Sequence, residues 1–105
     1  MAHNYKTYPL TWNDMTVEVR FCRSWFSSTR EIDGETLAHL EVRLHQPADG
    51  ILPITETGYR SHFTSLSTVE AHGGPVSFTQ SWLDEAASAP AWIERQEERR
   101  QMSLF

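Results

Sequence analysis

The sequence is poor in the features that mark whole classes of protein. It holds one cysteine, Cys22, so no disulfide can form within the chain, and stability is expected to come from packing alone. It has no run of about 18 apolar residues, the length a membrane-spanning helix needs, so no membrane partner is expected. Basic residues are outnumbered: 9 Lys and Arg stand against 14 Asp and Glu, for a formal net charge of -5. That balance argues against broad electrostatic attachment to DNA, RNA or an anionic bilayer. Any contact with DNA is expected to be local or indirect, through a partner. The opening MAHNYKTYPLTW has neither the basic start nor the apolar core of a signal peptide, which places the expected location in the cytoplasm. A phosphate loop, a dinucleotide fingerprint and paired catalytic carboxylates are missing, as are internal repeats and low-complexity segments.

Aromatic residues, in contrast, are plentiful. Four Trp, three Tyr and five Phe among 105 residues, with 39% apolar side chains, are enough for one compact core. In MTVEVRFC the residues Val17, Val19 and Phe21 alternate with Glu18, Arg20 and Cys22. In AHLEVRLH, Leu40, Val42 and Leu44 alternate with Glu41, Arg43 and His45. Both segments read as strands with one wet face, the pattern of an antiparallel sheet covered on one side. YKTYPLTW reads as a first strand confined to an edge by Pro9, and WND as the turn after it. SSTREIDGE and QPADGILP read as connections. ILPITETGYRSHF offers a fourth strand interrupted at Pro53 and Gly58.

The second half reads as helices. SLSTVEAHGG predicts one or two turns from Ser65, ended by Gly73 or Gly74. A longer helix is predicted from Pro75, with Phe78, Trp82, Leu83 and Ala86 as the stripe facing the sheet. Pro90 opens a third helical stretch, AWIERQEERRQ, whose apolar foot is Trp92 and Ile93 and whose six charges sum to zero. The expected fold class is α+β: a small antiparallel sheet of three to four strands packed against one or two C-terminal helices. Residues 1–90 form the domain, and 91–105 a charged helical extension ending in a peptide.

Side chains that could carry chemistry are few. ITETGYRSHF packs hydrogen-bonding groups around one glycine, and Glu56, Tyr59, Arg60 and His62 are the candidate anion or ligand contacts, with Glu56 as base or ion-pair partner. The plainer reading is a half-exposed strand with Tyr59 and Phe63 packed inward and Arg60 and His62 in water. Ser61 and His62, being adjacent, point to opposite faces of a strand and cannot be a nucleophile and its base. His39, Glu41, Arg43 and His45 share a strand face, which reads as a solvated surface, and no His or Cys has metal-ligand spacing. Cys22 reads as a small half-buried residue. No catalytic residue, metal or cofactor is expected.

The last letters, RRQMSLF, leave Leu104 and Phe105 at a tip where apolar side chains gain nothing unless they dock. Gln101, Met102, Ser103, Leu104 and Phe105 match, at every position, the short peptide by which bacterial proteins bind the DNA sliding clamp. A given five-residue window matches such a pattern by chance roughly once in several hundred thousand. The resemblance covers these five residues and says nothing of the body. It implies a non-enzymatic adaptor recruited to the replication or repair machinery, or competing within it, with Met102, Leu104 and Phe105 in an apolar groove, the Gln101 amide at its edge and Ser103 as spacer. Two other readings use the body. One is an acidic phage- or plasmid-type regulatory or counter-defence protein binding a basic protein surface. The other is a small-ligand or RNA-binding module using Tyr59, Arg60, His62 and Trp25 as its surface.

Overall fold

The computed structural model describes residues 3–26 and 35–102. Strands β1 (Lys6–Trp12), β2 (Met15–Cys22), β3 (Leu37–Gln46) and β4 (Tyr59–Ser65) form one antiparallel sheet in the order β1-β2-β3-β4. Helices α1 (Leu66–Ala71), α2 (Pro75–Ala87) and α3 (Pro90–Met102) follow, giving a small α+β fold. The SSTREIDGE connection lies outside the described residues apart from Glu35.

Local chemistry sets each boundary. Asn13 and Asp14 adopt φ values of 52° and 65°, the pair of positive angles that a two-residue type I′ hairpin requires and that Asn and Asp tolerate. Pro9, which has no N–H to donate, sits in the edge strand β1, where the missing bond costs least. Ser65 caps α1 by accepting from the Thr68 amide, and Gly73 and Gly74, at φ 91° and 114°, end it in the region that favours glycine. Pro75 then opens α2 at its first turn.

The alternation in β2 and β3 becomes the core. Leu10, Trp12, Val17, Val19, Phe21, Leu40 and Val42 line one face of the sheet, and Val69 of α1 and Leu83 of α2 close over it. Leu52 and Ile54, from the connection before β4, join the same core. Trp12 is buried, and its indole N–H donates to Asp84 at 2.8 Å and ties edge strand β1 to α2. Along the α2 stripe the fully buried positions are Thr79 and Leu83; Phe78, Trp82 and Ala86 are only half-buried beside them. Thr79 escapes a hydropathy pattern because its hydroxyl donates back to the Pro75 carbonyl at 2.8 Å, leaving its methyl to pack.

The fourth strand differs from the sequence reading in extent and in phase. It starts after Gly58, not at Ile51, and runs to Ser65; the preceding segment holds one isolated bridge, Leu52 to Thr55. There the Thr55 hydroxyl donates to the Tyr59 carbonyl at 2.8 Å, a local bond that replaces ladder pairing. The phase is the reverse of the expected one. His62 lies opposite Leu40 and Arg60 opposite Val42, so both face the helix side; Tyr59, Ser61 and Phe63 lie opposite Arg43, Glu41 and His39 on the open face. β3, with its buried Leu40 and Val42, dictates the register, and β4 must follow it whatever its own hydropathy.

Helix α3 buries none of its residues. Trp92 packs against the core and Ile93 is 51% exposed, so the apolar foot is Trp92 alone. Among the described residues no helix is long and apolar enough to cross a membrane.

Candidate functional site

Three places gather the residues that sequence analysis singled out. The first is the end of α3. Arg99 donates to the Asp49 carbonyl at 3.2 Å and Glu97 pairs with Arg100, while Gln101 and Met102 close the helix as exposed side chains, Met102 at 74%. Ser103, Leu104 and Phe105 lie outside the described residues.

The second is the open face of the sheet, which is less wet than its alternation implied. His39 is only 5% exposed. Its Nδ1 shares a 2.5 Å hydrogen bond with the Tyr5 hydroxyl and its Nε2 a 2.6 Å bond with Ser61 Oγ. Trp25 and Phe63 lie against its ring, centroids 4.9 and 4.3 Å away, and His3 stacks on Trp25 at 3.6 Å. Cys22, opposite His39, is fully buried beneath this cluster rather than half-buried, its thiol donating to the Ser24 carbonyl at 3.3 Å. Burial, the largest influence, holds the His39 imidazole below its ordinary value. Next to it Glu41 forms an ion pair with Arg20 and accepts from the Tyr59 hydroxyl at 2.5 Å, a bond that pushes the Tyr59 pKa upward. Glu18 and His45 pair at 2.5 Å.

Ser61 therefore does meet a histidine, though not its neighbour. The bond to His39 has the length of a contact between nucleophile and base. It is also what a buried imidazole needs to satisfy its second nitrogen. Tyr5 lies just before β1, His39 in β3 and Ser61 in β4, so no spacing along the chain announces the group.

The third place is a groove between β4 and α2. His62 stands 4.7 Å from the Trp82 ring and 6.1 Å from Phe78, and His72 meets Phe78 edge-on at 5.2 Å. Arg60 lies 5.6 Å over the Trp82 ring and donates to the Ile54 carbonyl at 3.4 Å. Burial first, and Arg60 second, hold His62 below the usual imidazole range.

The candidate contacts of the TETGYRSH stretch are thus dispersed. Arg60 and His62 share the groove side, Tyr59 is on the opposite face, and Glu56 is exposed before Gly58 with no ion pair to either among the described residues. A single surface of Trp25, Tyr59, Arg60 and His62 is ruled out by the same division. Sequence reasoning missed the groove because Phe78 and Trp82, one turn apart, fit a core stripe; their half-exposure is a property of where α2 crosses the sheet edge. Among the described residues no group of three or more His, Cys, Asp or Glu could hold a metal ion.

Comparison with known proteins finds one family, described as the KlcB third domain, whose model matches residues 5–92. No curated protein and no solved structure matches.

Proposed function

The chain belongs to the KlcB third-domain family, and on that folded body we propose that α3 carries a peptide, Gln101 to Phe105, which docks in the groove of a bacterial DNA sliding clamp. The observation that carries the reading is the state of α3. It buries no residue, its charges are solvated, and its last two side chains, Gln101 and Met102, are exposed and unclaimed by the body. The family match stops at residue 92, so the peptide lies outside the matched residues. Burying Met102, Leu104 and Phe105 contributes about 1.5 to 3 kcal/mol each before ordering costs, which leaves an affinity of about micromolar. The protein acts without chemistry of its own, as an adaptor or competitor in replication or repair, in the cytoplasm, and reaches DNA only through the clamp.

The rival reading, an acidic body seated on a basic protein surface, calls for carboxylates clustered and free on one face. On the open face Glu18 and Glu41 are each paired with a base, and Glu70 with Arg23, so it draws less support. Calorimetric titration of a sliding clamp with the intact protein and with a version ending at Arg100 tests the proposal. Binding near micromolar that disappears on truncation is expected. Heat that survives truncation, or a lack of competition with a known clamp peptide, would sink it.

A further inference from the structure

The groove between β4 and α2 is lined by aromatic rings and one carboxylate. His62, His72, Phe78, Ser81, Trp82 and Glu85 line a space of about 240 Å³, the size of a small head group rather than of a whole nucleotide. Four of the six are rings, and the Phe78 and Trp82 centroids lie 6.1 Å apart at an interplanar angle of 57°, tilted rather than stacked. Ring faces carry the negative end of the aromatic quadrupole and attract cations. Trp82 already shows this, since the Arg60 guanidinium sits over it at 5.6 Å.

Charge at the lining has one sign. Glu85 is exposed and takes part in no ion pair among the described residues. Glu18, Glu41, Glu70 and Glu97 each pair with a base and Asp84 accepts from Trp12; Glu56, Glu94 and Glu98, like Glu85, are in no ion pair among the described residues, and of these only Glu85 lines the groove. His62, desolvated and next to Arg60, is held in its neutral form at pH 7, so it contributes a ring and not a positive charge. Arg60 itself is outside the lining and is held by the Ile54 carbonyl.

We propose that this groove binds a small quaternary ammonium compound of the choline class, its methyl groups against Trp82, Phe78 and His62 and its charge facing the Glu85 carboxylate. A quaternary centre fits better than the ammonium of lysine. Lysine brings three N–H donors that need acceptors in place among Ser81, Glu85 and the one acceptor nitrogen of neutral His62, whereas a quaternary nitrogen has no donor to satisfy.

The test is titration of the full chain, at pH 8, with choline and with its uncharged carbon isostere 3,3-dimethylbutan-1-ol, following the Trp82 indole N–H signal by NMR. Choline is expected to move that signal and to bind about tenfold more tightly than the isostere, the factor a desolvated cation–π contact supplies. Glu85→Gln, a substitution at an exposed position, is expected to weaken choline severalfold with the spectrum otherwise intact; Trp82→Leu, followed by the backbone amide signals of Ser81 and Glu85, should abolish binding. Equal binding of choline and isostere, an unchanged affinity in Glu85→Gln, or no shift at roughly 10 mM choline overturns the proposal. So does a stronger response to inorganic phosphate, which would make the groove an Arg60 and His62 anion site, or to a trimethyllysine peptide, which would make it a protein-docking site.

Discussion

His39 shows what one side chain can do to the stability of a sheet. Its ring is buried between Trp25 and Phe63 and bonded at both nitrogens, so the folded state resists protonating it, and His62 is depressed in the same direction. The unfolded chain takes up protons near the ordinary imidazole value of 6.5 and the folded chain does not. The sign follows: the contribution is fully present above that value and is lost as pH falls below it toward the lowered folded-state values. The urea midpoint is therefore expected to fall from about pH 7.5 to pH 5.5, before the carboxylates titrate, and the slope should flatten in a His39→Gln, His62→Gln double variant. A slope unchanged by the double variant would remove these imidazoles from the account. At the same scale, Ser61→Ala takes the partner from His39 Nε2, and equilibrium unfolding should show a loss of about 1 kcal/mol, the low end for a site that water can reach.

At the scale of elements, the helix that covers the sheet is centred one position away from where its hydropathy places it. Thr79 and Leu83 have no exposed surface, while Phe78 and Trp82 flank them toward β4. Leu83→Ala is accordingly expected to cost about 2 to 5 kcal/mol by chemical denaturation, and Phe78→Ala less than half of that because its site opens to water. A larger loss at Phe78 would put the centre of the stripe back where the sequence suggested. The two strands with strict alternation, the edge strand with Pro9, the Asn13 and Asp14 turn and the Ser65 and Pro75 helix starts were all legible, because each is decided by residues within a few positions of one another. The face of β4 was not, because its phase is imposed by Leu40 and Val42 across the sheet. The Tyr5, His39 and Ser61 network and the groove at Trp82 were hidden for the same reason: each draws its members from separate elements, and only the register brings them together.

The shape of the whole molecule turns on α3. Its Cα radius of gyration is 15.7 Å and its principal extents are 56 × 25 × 20 Å. A compact chain of this length has a radius of about 13 Å, so one element must project from the body. Helix α3 is the element with no fully buried residue: Trp92 and Gln96 are half-buried and its other side chains are exposed. Beyond Trp92, Arg99 donates to the Asp49 carbonyl, an exposed bond of small net worth. A chain ending at Gln96 keeps Trp92 and the whole core. Its melting temperature is expected to stay within about 4 °C of the intact protein, the shift that 1 kcal/mol produces in a domain of this size, while its radius by small-angle scattering should drop toward about 13 to 14 Å. The two readouts separate the alternatives. A large fall in melting temperature would mean that residues after Gln96 pack on the body, and an intact chain already near 13 Å would mean that the helix lies against it; in either case Gln101 and Met102 would no longer be presented to a partner.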